Sequence, residues 1–129
     1  MSFTARAYAP GDAIDRRLDA LARQPFRAKF RLAGRDRGLV ELRGRAQIRG
    51  AAAELLAARI APANPRKDGR QTPYRGHPVF VAQHATATCC RACLERWHGI
   101  PRGHELTAEE RAYALTVIDR WIDRQLAVG

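Results

Sequence analysis

The chain has 129 residues and a mass of 14.4 kDa, which is enough for one domain with a single modest hydrophobic core. Hydrophobic residues make up 46% of it and charged residues 28%, which argues against wholesale disorder, and no apolar run approaches the roughly 18 residues of a membrane span. With 23 basic and 13 acidic residues the net charge is +10. The N-terminal segment MSFTARAYAPGDAIDRR shows no signal-peptide core, so we expect a soluble, strongly basic, cytoplasmic single domain over residues 1–129. Its oligomeric state is left open.

The first half of the chain is predicted to be helical around one extended segment. Apolar residues at helical spacing predict a helix over 12–23, and Pro25 ends it. The FRAKFRL segment that follows is predicted to be a strand or an extended connector, because its apolar residues alternate. From 36 to 60 the apolar residues again share one helical face. Three glycines inside that range each cost roughly 1 kcal/mol in a helix relative to alanine and could break it into two pieces. Helix is still the favoured assignment, because the Ala-rich segment AAAELLAARI fits no other element.

The second half contains a long loop and two further predicted helices. Residues 61–78 hold four prolines and two glycines in eighteen positions, and irregular loops of that length usually serve a function. The run VFVAQH at 79–84 is predicted to be extended, and a helix over 88–98 is closed by a glycine. The last helix starts at Thr107, which forms a capping box with Glu110. We therefore predict a mainly α domain of three to four helices, with the loop preceding the helix that carries cysteine and histidine.

The basic charge is uneven along the chain. Residues 1–60 hold 13 basic and 6 acidic residues, residues 61–104 hold 7 and 2, and residues 105–129 hold 3 and 5. A basic body with an acidic terminal helix suits a surface that faces a polyanion such as nucleic acid. Four loop cations are the candidate contacts to nucleic acid or phosphate: Arg66, Lys67, Arg70 and Arg75. A solvated arginine-rich surface without a partner is the alternative reading of the same composition.

All cysteines and histidines of the chain fall within one 28-residue window, 77–104. They are Cys89, Cys90, Cys93, His77, His84, His98 and His104. Intracellular thiols are kept reduced, so an odd trio of cysteines indicates metal binding, a reactive thiol or burial, and not a disulfide framework. Burial of the thiols as small apolar groups is the interpretation that involves no chemistry.

Zinc binding is the leading functional hypothesis for this window. Cys90 and Cys93 form a Cys-x2-Cys pair, the usual first pair of a zinc site, and residues three apart on a helix point the same way. His98 and His84 complete a Cys2His2 set, or Cys89 replaces one imidazole to give Cys3His. An iron–sulfur cluster is less favoured, because such clusters usually take four cysteines. In this hypothesis the ion pins the long loop to the helix and completes a basic surface for nucleic acid.

An enzyme is the alternative to a binding module. A thiolate at Cys89 or Cys90 is favoured near a helix N-terminus and beside Arg91, and a nearby histidine supplies the base. A metal-bound water is the other possible nucleophile. Either would attack a phosphorylated or acyl substrate. The candidate catalytic pocket is lined by Gln71, Arg75, His77, His84, Cys89 and Cys90.

Three sequence segments resemble a small bacterial family of unknown function. Its members share a core HATATCCRxCLxxWHGI, an upstream segment APANPxxDGxQTPxRGHPVF and an FRxxFxL segment nearer the N-terminus, and all three occur here. The resemblance covers roughly residues 25–126. It implies a stand-alone family member whose long loop belongs to the family core, and it implies no activity. His104 lies outside the pattern and is therefore the weakest ligand candidate.

Overall fold

A computed structural model describes residues 11–128, which form seven α-helices and no strand. The helices are α1 (Gly11–Ala22), α2 (Pro25–Ala28), α3 (Gly34–Arg43), α4 (Arg45–Leu55), α5 (Pro78–Thr86), α6 (Arg91–His98) and α7 (Ala108–Ala127). A π-helical turn, Leu56–Ile60, continues α4. The predicted mainly helical class is confirmed, whereas the count exceeds the expected three to four. Of the helices in this range, none has both the length and the apolar character needed to cross a membrane.

The helix predicted over 36–60 is divided at Gly44. This residue has a φ of 87° and lies between the end of α3 and the start of α4. A positive φ of this size is accessible to glycine because it has no Cβ atom, so the chain turns at this glycine. Gly38 and Gly50 remain inside their helices. The helical assignment is therefore confirmed, and the break that the glycines allow occurs at only one of the three.

The FRAKFRL segment begins as a helix, so its predicted extended start is wrong. Pro25 ends α1 as predicted and also occupies the first turn of α2, where its missing N–H is not needed. The Gln24 side chain accepts a hydrogen bond from the backbone N–H of Arg27 at 3.0 Å and caps the short helix. This single turn fixes the position of Arg27, which the functional site depends on.

The VFVAQH run is also helical, in contrast to its predicted extended form. His77 begins α5: its Nδ1 accepts the backbone N–H of Val79, and Pro78 occupies the first helical position. Nearly every residue of α5 is buried. A helix enclosed on all sides has no polar face, so its sequence lacks the helical period and resembles a buried strand.

The hydrophobic core is built around α7, the longest helix. Its capping box is confirmed: the Thr107 hydroxyl accepts the N–H of Glu110, and the Glu110 carboxylate accepts the N–H of Thr107. The helix packs against α1, α4 and α5. Its buried residues are Glu110, Tyr113, Ala114, Val117, Ile118, Trp121 and Ile122.

Charged side chains of α7 pair with the neighbouring helices. Asp119 forms ion pairs with Arg45 and Arg49 of α4, and Arg120 lies 3.1 Å from a carboxylate oxygen of Asp15 in α1. Exposed ion pairs of this kind each stabilise a fold by less than about 1 kcal/mol. Their main consequence is that the cations of α4 that face α7 are neutralised by carboxylates and add little to the positive surface charge.

Candidate metal centre

Three cysteines come together where α5 turns into α6. Ala87 ends α5 in the left-handed conformation, with a φ of 59°, and the N–H of Thr88 bonds back to a carbonyl of α5 at 2.9 Å. The chain then reverses, and the sulfur of Cys90 caps α6 by accepting the N–H of Cys93 at 3.4 Å. The turn therefore places Cys89, Cys90 and Cys93 at the same end of α6.

The three sulfur atoms all lie within 4.8 Å of one another, and all three cysteines are free. Zn–S bonds of about 2.3 Å put the sulfurs of a tetrahedral site about 3.8 Å apart, so a small contraction brings them around one ion. Cys89 and Cys90 are buried and Cys93 is half-buried. This group can hold a metal ion. Within residues 11–128, no histidine nitrogen lies within 4.8 Å of all three sulfurs.

A buried arginine from α2 completes the site. The Arg27 guanidinium donates from Nη2 to the Cys93 sulfur at 3.1 Å and from Nη1 to the His84 carbonyl oxygen at 2.8 Å. The same Nη1 lies 3.7 Å from the Cys89 sulfur. More than sixty residues separate Arg27 from the cysteines, and no local pattern links them. The only sequence signal was the FRxxFxL segment of the family pattern, which contains this arginine.

The three thiols ionise unequally. The pKa of Cys93 lies well below that of an ordinary thiol, because the Cys89 and Cys90 thiols donate to its sulfur and Arg27 adds a positive charge. The pKa of Cys89 is raised by hydrogen bonding with Cys90 and Cys93 and by burial. In the metal-free protein the thiolate therefore belongs at Cys93, whereas the sequence pointed to Cys89 or Cys90.

Arg91 does not lie beside the thiols, in contrast to the sequence-based expectation. Its side chain is 1% exposed and points toward the end of the π-helical turn. Nη1 donates to the Pro62 carbonyl oxygen at 2.8 Å, and Nη2 donates to that of Pro101 at 3.0 Å. The carbonyl oxygens of Ile60 and Ala61 lie 3.4 Å from Nη1. Arg91 thus joins two connecting segments and has a structural role.

His98 was a predicted ligand, but both of its ring nitrogens are committed elsewhere. Nε2 lies 2.7 Å from the Thr86 carbonyl oxygen, and Nδ1 lies 2.7 Å from the Tyr113 hydroxyl. A carbonyl oxygen only accepts, so Nε2 carries the proton and Nδ1 accepts from the hydroxyl. His98 therefore holds α5, α6 and α7 together and is not placed as a metal ligand.

We expect His98 to make the protein less stable in mild acid. Burial lowers its pKa to about 4, from an ordinary value of 6.5. Between these two pKa values the His98 imidazole is protonated in the unfolded chain but stays neutral in the native protein. The free energy of unfolding therefore falls by about 3 kcal/mol as pH drops from 6.5 to 4. Urea denaturation at several pH values measures this loss. The His98→Gln variant should lose less over the same interval, and equal slopes for the two proteins would contradict the assignment.

His84 is the one histidine whose hydrogen bonds resemble those of a metal ligand. Its Nε2 lies 2.9 Å from the Thr72 carbonyl oxygen and 3.1 Å from that of Pro73, so Nε2 carries the proton and Nδ1 keeps its lone pair. Burial lowers the pKa of His84, which favours the neutral ring. Metal-bound histidines commonly donate their second nitrogen to a backbone carbonyl in this way.

The other two histidines have capping and pairing roles. His77 caps α5 through Nδ1, which lies 3.0 Å from the Val79 nitrogen, and its ring packs near Phe80. His104 lies 2.7 Å from a carboxylate oxygen of Glu110. Neither joins the three sulfurs. The structure does not assemble His77 with the thiols as the candidate catalytic pocket required.

A family model described as a domain of unknown function (DUF4186) matches residues 15–123. The chain belongs to this family. The resemblance found in the sequence is thereby confirmed, and the matched range contains Arg27, the long loop and all three cysteines. No solved structure matches the chain.

The long loop of this family member is anchored by its own side chains. An oxygen of Asp68 accepts the backbone N–H of Arg91 at 3.0 Å, and the Thr72 hydroxyl donates to the Cys89 carbonyl oxygen at 2.8 Å. The Thr72 and Pro73 carbonyls also bind His84. None of the three sulfurs comes from the loop. We expected a metal ion to hold the loop against the helix. The structure instead anchors the loop by direct hydrogen bonds around the site.

The loop cations face solvent, as their proposed contact role requires. Arg66, Lys67, Arg70 and Arg75 are all exposed. In the part of the chain that the structure describes, none of them has a carboxylate within 4 Å. Their positive charge is therefore not neutralised locally, unlike that of Arg45 and Arg49 on α4.

Proposed function

We propose that the protein is a metal-binding module that holds one zinc ion through the thiolates of Cys89, Cys90 and Cys93. The observation that carries this proposal is the group of three sulfurs within 4.8 Å of one another. Soft thiolate ligands select zinc, copper(I) or iron–sulfur clusters. Three cysteines without a fourth favour zinc, which also accepts nitrogen ligands, because iron–sulfur clusters usually take four cysteines.

The surroundings of the sulfurs support the same choice. Three thiolates around Zn²⁺ carry one net negative charge, and the Arg27 guanidinium at 3.1 Å from Cys93 supplies one compensating positive charge. We propose Nδ1 of His84 as the fourth donor, because its other nitrogen is already bound to backbone carbonyls. Thiolate ligands survive in a reducing compartment, so the proposal includes a cytoplasmic location.

Elemental analysis of the untagged protein tests the proposal. We expect one zinc ion per chain, most of which is lost in Cys90→Ser and Cys93→Ser, because each variant lacks one thiolate ligand. His84→Ala should bind zinc more weakly. His104→Gln is the matched control and should keep its zinc, since its imidazole pairs with Glu110. A protein that is purified without metal and takes up none when titrated with zinc would contradict the proposal.

A second candidate function is a thiolate enzyme, and the contact between Arg27 and Cys93 favours it. Cys93 is half-buried whereas Cys89 and Cys90 are buried, and an arginine within hydrogen-bond distance of the Cys93 sulfur stabilises its thiolate. We propose that this sulfur attacks a phosphorylated or acyl substrate. The leaving group departs with the bonding electron pair, and water later hydrolyses the covalent intermediate.

Alkylation of the metal-free protein distinguishes this candidate. The pKa of Cys93 is lowered, so its thiolate fraction, and with it the rate of alkylation by iodoacetamide, should stay nearly constant from about pH 8 down to about pH 5. An ordinary thiol slows about tenfold per pH unit over that interval. In Cys93→Ser the residual rate should rise with pH, because burial disfavours the thiolate forms of Cys89 and Cys90 and raises their pKa values. A native rate that climbs tenfold per unit would exclude the thiolate enzyme.

A further inference from the structure

An aromatic cluster lies beside the three cysteines and reaches the surface. The rings of Phe30, Tyr74 and His84 are nearly parallel, with centroids 4.6 Å apart between Tyr74 and His84 and 5.3 Å apart between Phe30 and His84. Phe26 stands almost perpendicular to Tyr74, at 84° and 6.5 Å. The cluster joins α2 and the segment after it to the long loop and to α5.

The outer rings of this cluster are exposed, and its base is fixed. Tyr74 is 63% exposed and Phe26 is 37% exposed, whereas His84 is buried and hydrogen-bonded to the loop backbone. Stacking on His84 and Phe30 holds the Tyr74 ring in place, so little conformational entropy remains to be lost when a ligand covers it. A held, exposed ring presents a flat face on which another planar group can stack.

Two cations without a carboxylate partner among the described residues accompany these rings. The Lys29 ammonium lies 5.8 Å from the Phe26 centroid, and Arg75 directly follows Tyr74 in the loop. Both side chains are exposed, and within residues 11–128 no carboxylate oxygen lies within 4 Å of either. The charge of this surface is therefore complementary to a polyanion.

We propose that this stacking surface, formed by Phe26, Lys29, Tyr74 and Arg75, binds single-stranded nucleic acid. Unpaired bases stack on exposed aromatic rings, and neighbouring cations contact the phosphates between them. A duplex fits poorly because its bases are already stacked on one another and present only their edges. An acidic peptide matches the positive charge but offers no flat faces for the rings. The proposal needs no metal ion.

Fluorescence anisotropy with a labelled oligothymidylate of about 16 nucleotides tests the surface. We expect Tyr74→Ala to weaken binding by roughly 5- to 150-fold, and Tyr74→Phe to stay within about twofold, because the ring is what stacks. Leu42→Ala is the matched control, because Leu42 is an apolar residue on α3 that is 83% exposed and lies outside the stacking surface. This variant should bind the oligonucleotide as tightly as the native protein does. Equal affinities for Tyr74→Ala and Leu42→Ala would overturn the proposal.

Salt dependence tests the contribution of the cations. Affinity should fall as salt rises, and Lys29→Gln and Arg75→Gln should each reduce the log–log slope by about 0.7. Arg49→Gln removes the same charge at a position already 2.7 Å from Asp119, and its slope should hardly change. Affinity that is independent of salt, a duplex of equal length bound as tightly as the single strand, or equal competition by a polyglutamate peptide would each overturn the proposal.

The metal-binding proposal and the nucleic-acid proposal are tested independently of each other. Zinc content is measured in the same preparations, and Tyr74→Ala should keep its metal because it removes no donor atom. Loss of oligonucleotide binding in a variant with native zinc content assigns the effect to stacking. A protein without zinc that still binds the oligothymidylate would overturn the metal module alone.

Discussion

Replacing Arg91 with alanine is expected to lower the free energy of unfolding by about 4–6 kcal/mol. Arg91 is 1% exposed, and its guanidinium donates to the carbonyl oxygens of Pro62 and Pro101 and lies near those of Ile60 and Ala61. Each buried polar group left without a partner costs about 1–3 kcal/mol. Native domains are stable by only about 5–15 kcal/mol, so this loss approaches the whole stability of the fold.

Urea denaturation of three variants measures the role of Arg91. Arg91→Lys keeps one charged donor group and should lose less stability than Arg91→Ala, so the series stays informative even if the alanine variant does not fold. Arg96→Ala on the same helix removes an exposed arginine and should change stability by no more than about 0.5 kcal/mol. Similar denaturation midpoints for Arg91→Ala and Arg96→Ala would show that the buried hydrogen bonds are not important.

Removal of the proposed zinc ion is expected to lower the melting temperature by about 10–20 °C. An ion that binds the native state alone at about a thousand times its dissociation constant stabilises that state by about 4 kcal/mol. For a domain of this size each kcal/mol corresponds to roughly 3–5 °C. The stabilisation arises because the turn and the helix start that bring Cys89, Cys90 and Cys93 together are formed only in the folded protein.

Calorimetry with and without a strong chelator measures this shift, and Cys93→Ser is its control. The variant should melt at a lower temperature than the native protein and should respond weakly to the chelator, because it has already lost a thiolate ligand. Readdition of zinc, but not of magnesium, should restore the native value, since magnesium prefers oxygen ligands. A native protein whose melting temperature is unchanged by the chelator would contradict a metal with a structural role.

Several parts of the fold were predictable because their signals are local. The capping box of Thr107 and Glu110 satisfies backbone groups within one helical turn, so neighbouring residues alone define the start of α7. Gly99 ends α6 in the left-handed conformation, with a φ of 68°, and its lack of a Cβ atom gives the reason. The amphipathic pattern of α1 likewise predicted its bounds to within a residue.

The two wrong assignments share one cause, which is that both helices depend on tertiary contacts. In α5 both polar and apolar residues are enclosed: Gln83 and His84 are buried beside Val79 and Ala82. The polar members are satisfied by hydrogen bonds to backbone groups outside the helix, so polarity along the sequence no longer marks the solvent-facing side. The short α2 is likewise stabilised by its contacts with α1 and α5, which no short window of sequence contains.

By itself, the sequence determined that the chain is mainly helical, basic, and rich in ligand-type residues between 77 and 104. Proximity along the chain was enough to bring Cys89, Cys90 and Cys93 together, because one turn and one helix start place them. Only the tertiary structure decided that Arg27 joins them, that His98 is committed elsewhere and that Tyr74 is stacked and exposed. These three facts depend on contacts between residues ten or more positions apart, and such contacts are set by how the helices pack.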